Sequence, residues 1–170
     1  MPIAQMLLPE FDQEMANTRK MLKRVPDGKF EFKPHQKSMT LGRLAAHTAE
    51  IPSYATATLR VERMDFTGDE KQFAPATRKE ILDAFDKHVV ESRELLSKAT
   101  DEELAKIWTL TYKGNQIFAM PRAAVLRSMV MGHLIHHRAQ LGVYLRMNSV
   151  EIPGMYGPSA DEMNMFAQSA

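Results

Sequence analysis

The chain has 170 residues, with 22 basic and 21 acidic side chains, a formal charge of +1 and no cysteine. A near-neutral, well-mixed charge excludes binding to nucleic acid or an anionic membrane by charge alone. The missing thiols exclude disulfides, thiolate metal sites and cysteine nucleophiles. Hydrophobic residues at 44% and charged residues at 25% suit a globular protein with a sizeable core, and the length fits one domain over residues 1–170. The segment Met1 to Glu10 carries no basic leader and reads as the start of a helix rather than a signal peptide. No apolar run reaches the roughly 18 residues of a membrane span, so the expected location is cytoplasmic.

In chain order, apolar residues at Leu7, Leu8, Phe11, Met15, Met21, Leu22 and Val25 predict a first helix from Ile3 to about Arg24, with Pro9 as a point of delay or kinking. Pro26-Asp27-Gly28 ends it, and a polar loop holding a surface His35 follows. A second helix starts at Ser38 or Thr40 and runs to about Arg63 along the stripe Leu41, Leu44, His47, Ile51, Tyr54, Ala55 and Thr58, with a bend imposed by Pro52. After a loop over residues 68–75, Thr77 with Glu80 reads as a capping box opening a third helix to about Ala99, with Ile81, Phe85, Leu95 and Leu96 inward and His88 at the surface or rim. Thr100 with Glu103 repeats the pattern before a short helical turn. The period then changes. Ile107–Tyr112 and Gln116–Met120 flank Lys113-Gly114-Asn115 as a hairpin. Pro121 opens a fourth, long helix to about Asn148, and the rest is an extended tail that packs back through Met155 and Tyr156. The predicted fold class is therefore all-α: an up-down four-helix bundle with a small hairpin before the last long helix.

Three of the six histidines fall in Gly132–Gln140. On a helix, His133 and His137 stand one above the other, on a face shared with Leu126, Val130, Leu141 and Tyr144. They are predicted to point inward, as is His47 on the second helix. Buried imidazoles need polar partners, and a bundle core is where facing helices build a metal site. His47, His133 and His137 form a candidate three-histidine set, suited to zinc, nickel, iron or copper, with at least one coordination position left for water or substrate. Ordinary hydrogen-bonded core histidines are the alternative. His136 points about a quarter turn away. Gln140 is either a hydrogen-bonding neighbour of the site or a helix-packing amide. Glu50, three residues after His47, is either a group for proton transfer and ligand support or part of a solvated face. HxxxH also occurs in zinc proteases, but Leu134 stands where their general-base glutamate belongs, which argues against proteolysis.

Leu44-Ala-Ala-His47, His133-Leu-Ile-His136-His137-Arg138-Ala139-Gln140 and Pro153-Gly-Met-Tyr-Gly-Pro-Ser-Ala-Asp-Glu162 together give the chain a specific likeness. It resembles the DinB-like superfamily of small four-helix metal-binding proteins over nearly its whole length. That resemblance implies metal ligation by His47, His133 and His137, a zinc or nickel ion (iron or manganese as alternatives), an open coordination position and a homodimer. Relatives in that family include thiol-dependent transferases and isomerases. The expectation is a metal-dependent enzyme of the thiol S-transferase, isomerase or hydrolase kind, acting on a small molecule that includes a low-molecular-weight thiol. No nucleic-acid or membrane partner is expected. The alternative is a non-catalytic metal-binding stress-response or sensor protein.

Overall fold

The computed structural model describes residues 1–163; residues 164–170 of the expected domain span lie outside the described residues. Helix α1 (Ile3–Leu22) runs through Pro9 without interruption and buries Leu7, Phe11, Met15 and Leu22. Helix α2 (Leu41–Glu50) is capped by Thr40, whose hydroxyl accepts from the Arg43 amide at 3.2 Å. Pro52 divides the predicted second helix. Ile51 keeps helical dihedrals, and α3 (Pro52–Arg60) restarts with proline at its first position, where no amide is needed. Helix α4 (Arg78–Lys98) has the predicted Thr77 cap, but the Glu80 carboxylate reaches the Ala76 amide at 2.9 Å instead of closing a reciprocal box. The box at Thr100 and Glu103 does close, opening α5 (Asp101–Ala105).

The all-α expectation needs correction, because the hairpin is part of a three-stranded sheet in the order β1-β2-β3. Strand β1 (Arg63–Phe66) pairs parallel with β2 (Ile107–Tyr112), which pairs antiparallel with β3 (Asn115–Pro121). The turn is the two residues Lys113 and Gly114, with φ of 50° and 77°; positive φ at both positions is what a right-twisted hairpin requires. Trp108 and Leu110 of the sheet pack with Val125 in a satellite cluster beside Met64, Phe66 and Met129. The sheet thus braces the start of the last helical run.

That run has three parts: α6 (Arg122–Val125), a π-helical stretch Leu126–Gly132, and α7 (His133–Met147). In the main core, α1 packs on α4 and α7, and α2 packs on the same two helices, around Phe11, Leu44, Phe85, Leu134 and Leu141. Among the described residues no helix is long and apolar enough to cross a membrane.

The tail is less extended than expected. After Asn148 it folds back, with the Ile152 amide on Asp161 at 2.8 Å and the Gly154 amide on Glu162 at 2.9 Å. Met155 packs on the core, and its carbonyl accepts from the Asn17 side chain. Tyr156 is held by its hydroxyl and by the Arg138 guanidinium, 5.5 Å from its ring centroid. The hydroxyl donates to Glu14 at 2.8 Å and accepts from Arg138 at 2.6 Å. Arg138 and Glu14 form a buried ion pair at 2.7 Å, 3% and 5% exposed.

Candidate metal centre

The site is assembled by α2 and α7. On α2, Arg43, His47 and Glu50 follow the four-and-three spacing of one helix face, and all three are half-buried while their neighbours Leu44, Ala45, Ala46, Thr48 and Ala49 are buried. On α7, the π-helical stretch decides the orientation. The His133 amide donates to the Ser128 carbonyl, five residues back, where an α-helix would use four. Ser128 itself donates to the Ala124 carbonyl at 2.8 Å, a side-chain bond that competes with the regular ladder. The wider turn moves the core stripe by one residue relative to a straight helix. Leu134, Arg138, Leu141 and Leu145 are buried, and His133 and His137 stand half-buried at the margin of that stripe. The inward placement predicted for these two rings is corrected to the edge of the core, facing α2.

The three rings converge on their Nε2 atoms. His47 Nε2 lies 3.3 Å from His133 Nε2, which lies 2.9 Å from His137 Nε2. Nitrogen ligands about 2.0–2.1 Å from one ion, at cis or tetrahedral angles, stand roughly 2.8–3.4 Å apart. The spacing therefore fits a single first-row cation, and these three residues could hold one. Burial is the first cause of lowered pKa at all three. It takes His47, together with His137 and His133, to about 3. It takes His133, together with His137, to about 4. His137 is also lowered, by burial first, with its bond to Gln140 working in the opposite direction. All three rings are neutral at pH 7, and neutral imidazole is the ligand form.

The far sides of the rings are also arranged. His137 Nδ1 lies 2.7 Å from Gln140 Oε1. A carbonyl oxygen only accepts, so Nδ1 carries the proton and Nε2 keeps its lone pair toward the cluster. Of its two sequence readings, Gln140 takes the neighbour role. His47 Nδ1 faces Glu50 Oε2 at 4.0 Å. That carboxylate accepts from Arg43 at 2.9 Å and from the Phe73 amide at 3.3 Å. Glu50 thus stands behind His47, on the side away from the converging nitrogens. The Tyr54 ring lies parallel to His133, 6.2 Å between centroids, and walls the site on the α3 side.

The other histidines fall outside the set. His136 is exposed and packs edge-on against His137. His35 is exposed in its loop and accepts from the Lys37 amide. His88 is half-buried on α4, where burial lowers its pKa. Sequence reasoning missed Arg43, although its position one turn before His47 on the same face was a usable signal. It also missed the Glu14–Arg138–Tyr156 anchor, whose members come from three distant segments and carry no local pattern.

Comparison with known proteins agrees with the fold. The sequence model of the DinB family matches residues 1–169. A curated relative, the uncharacterized protein YrdA of Bacillus subtilis (strain 168), is 27% identical over 168 residues, which is 96% of this chain and 93% of that protein. A crystal structure of a DinB-like protein from Bacillus cereus ATCC 10987 is 29% identical with a TM-score of 0.68, covering 88% of this chain and 95% of that one. The DinB-like protein YjoA of Bacillus subtilis, 19% identical, shares the fold with a TM-score of 0.67 over 88% of this chain and 97% of its own. By a match that spans nearly its full length, this chain belongs to the DinB family.

Proposed function

We propose that the protein binds one divalent metal ion, zinc or nickel with iron or manganese as alternatives, through the Nε2 atoms of His47, His133 and His137, and that the site is catalytic. One observation carries this reading: three neutral imidazoles from two helices present Nε2 atoms 2.9 and 3.3 Å apart, with the tautomer of one fixed by Gln140. A divalent cation bound there supplies Lewis acidity, which lowers the pKa of a coordinated thiol or water. The chain's own groups bind and orient. Gln140 holds the His137 ring, and Glu50, held by Arg43 and the Phe73 amide, faces the Nδ1 proton of His47. Three protein ligands leave a coordination position for substrate.

The reaction class that suits this site is transfer, isomerisation or hydrolysis involving a small molecule with a low-molecular-weight thiol. We take α1, α2 with α3, α4, and α6 through α7 as the four arms of an up-down bundle. We further place the protein in the cytoplasm as a homodimer; the lack of cysteine fits a reducing compartment. Elemental analysis of the purified protein beside His133→Ala tests the site: near-stoichiometric metal lost in the variant is expected, and metal in neither retires the reading. Conjugation of glutathione or bacillithiol to a panel of electrophiles tests the chemistry. No turnover above the metal-stripped control would leave a non-catalytic metal-binding stress or sensor protein.

A further inference from the structure

The connection from β1 to α4, residues 67–77, has little to hold it in place. Thr67 and Gly68 donate their amides to Glu70 within the connection itself, and Ala76 donates to Glu80 at the start of α4. Between them Lys71, Gln72 and Ala74 are exposed, while Phe73 and Pro75 are half-buried. Phe73 belongs to neither hydrophobic cluster. Among the described residues, residues 71–75 make one hydrogen bond, from the Phe73 amide to Glu50 Oε1 at 3.3 Å. The strap therefore hangs on a carboxylate and not on the core.

The same carboxylate stands behind a histidine of the candidate metal centre. Glu50 Oε2 is 4.0 Å from His47 Nδ1, too far for a hydrogen bond, and His47 Nδ1 is buried with no partner among the described residues. Ligation of His47 through Nε2 leaves the ring's proton on Nδ1, and a ligating imidazole almost always donates that proton to a carboxylate, a backbone carbonyl or water. Glu50 is the acceptor at hand. A shift of about 1 Å brings Oε2 within reach. That oxygen already accepts from Arg43, and a carboxylate oxygen has a second lone pair with which to accept again.

With the three histidines read as a metal site, a reading on which this depends, we infer that residues 67–77 form a metal-responsive strap and that Glu50 is the positioning residue joining it to His47. Ligation draws the Glu50 carboxylate onto Nδ1–H and fixes it there, and the Phe73 amide on its other oxygen is fixed with it. Without metal the carboxylate stands off, and the strap opens on the breaking of a single long hydrogen bond.

The test uses the full-length protein, stripped of metal or loaded with equimolar zinc, with bound zinc measured by elemental analysis. Trypsin cleavage after Lys71 reads the opening of the strap. Cleavage after Lys37, in the exposed loop before α2, is the reference within the same digest. Zinc should slow cleavage after Lys71 by about tenfold, the value of one hydrogen bond to a charged group, and change the Lys37 rate by less than about twofold. Phe73→Pro removes the amide donor without touching the histidines; it should bind zinc as the wild type does and show no protection after Lys71. Glu50→Ala removes both ends of the joint and should give the fast rate with or without zinc; if it loses zinc, Phe73→Pro still decides. Protection that survives in Phe73→Pro or in zinc-loaded Glu50→Ala, equal protection after Lys37 and Lys71, or none after Lys71 in a wild type that holds zinc overturns the inference. A wild type that binds no zinc fails the metal reading itself and takes the strap with it.

Discussion

Gln140→Leu isolates the hydrogen bond that sets the His137 tautomer. Gln140 is exposed on α7, so the substitution should change folding stability by no more than about 0.5 kcal/mol. What it removes is the 2.7 Å contact to His137 Nδ1. A net hydrogen bond of about 0.5–1.5 kcal/mol corresponds to roughly a twofold to tenfold loss of metal affinity. Groups that orient ligating histidines are generally worth about 10–100-fold. The His137 ring is also confined edge-on between His47 and His136, at centroid distances of 4.7 and 4.8 Å, which preserves part of its orientation without the amide. The two considerations meet at about tenfold, or about 1.4 kcal/mol. Competition for zinc or nickel against a chromophoric chelator at fixed pH measures it, with thermal melts confirming intact folding. Gln140→Glu is the companion, since a carboxylate also accepts from Nδ1–H and makes the imidazole more basic; it should bind metal at least as tightly as the wild type. Unchanged affinity in the leucine variant, or equal weakening in both, would refute the role given to Gln140.

Arg138→Met leaves the Glu14 carboxylate buried without its cation, and breaking such a pair costs about 3–5 kcal/mol. For a chain of this size that is on the order of 10 °C in melting temperature, and Glu14→Gln added to Arg138→Met should recover most of it. A Cβ at Gly154 would run into the Gly157 carbonyl and the Glu162 carboxylate, so Gly154→Ala should release the tail, seen as faster proteolysis after Val150 than in the wild type. Metal-free protein should lose stability as pH falls from 6.5 toward 4. Burial lowers His47 to about 3 and His133 to about 4, so in that window the unfolded chain binds protons that the folded chain does not. Chemical denaturation across that range should show the slope, and His47→Gln should reduce it; an identical slope in the variant counts against burial of His47 as a cause.

That His47, His133 and His137 come together was legible because each lies on a helix whose period is written locally, although that period placed the two later rings deeper than they lie. The elements that were not legible depend on partners far away in the chain. Strand β1 is four residues with half-buried alternation, too short to stand out. It exists because it lies beside Thr109–Tyr112 in a parallel pairing that no local rule anticipates. Arg138 reads in sequence as a polar residue next to a ligand. Its burial is sustained by Glu14 from α1, where Thr18 also accepts from it at 3.2 Å.

The π-helical stretch links these successes and failures. With regular α geometry through Leu126–Gly132, the stripe through Leu126 and Val130 would continue to His133 and His137, enclosing both rings in the core. One wider turn passes the buried positions to Leu134 and Arg138 instead. The same displacement has two consequences. It brings the imidazoles to the edge of the core, beside His47. It also forces a guanidinium into the interior, where only a buried carboxylate with further hydrogen bonds makes it tolerable. Glu14 meets that demand, and Tyr156 completes it from the tail. The histidine cluster at the core's edge and the anchored tail thus both follow from one local departure from α-helical geometry, of the kind often found at functional positions.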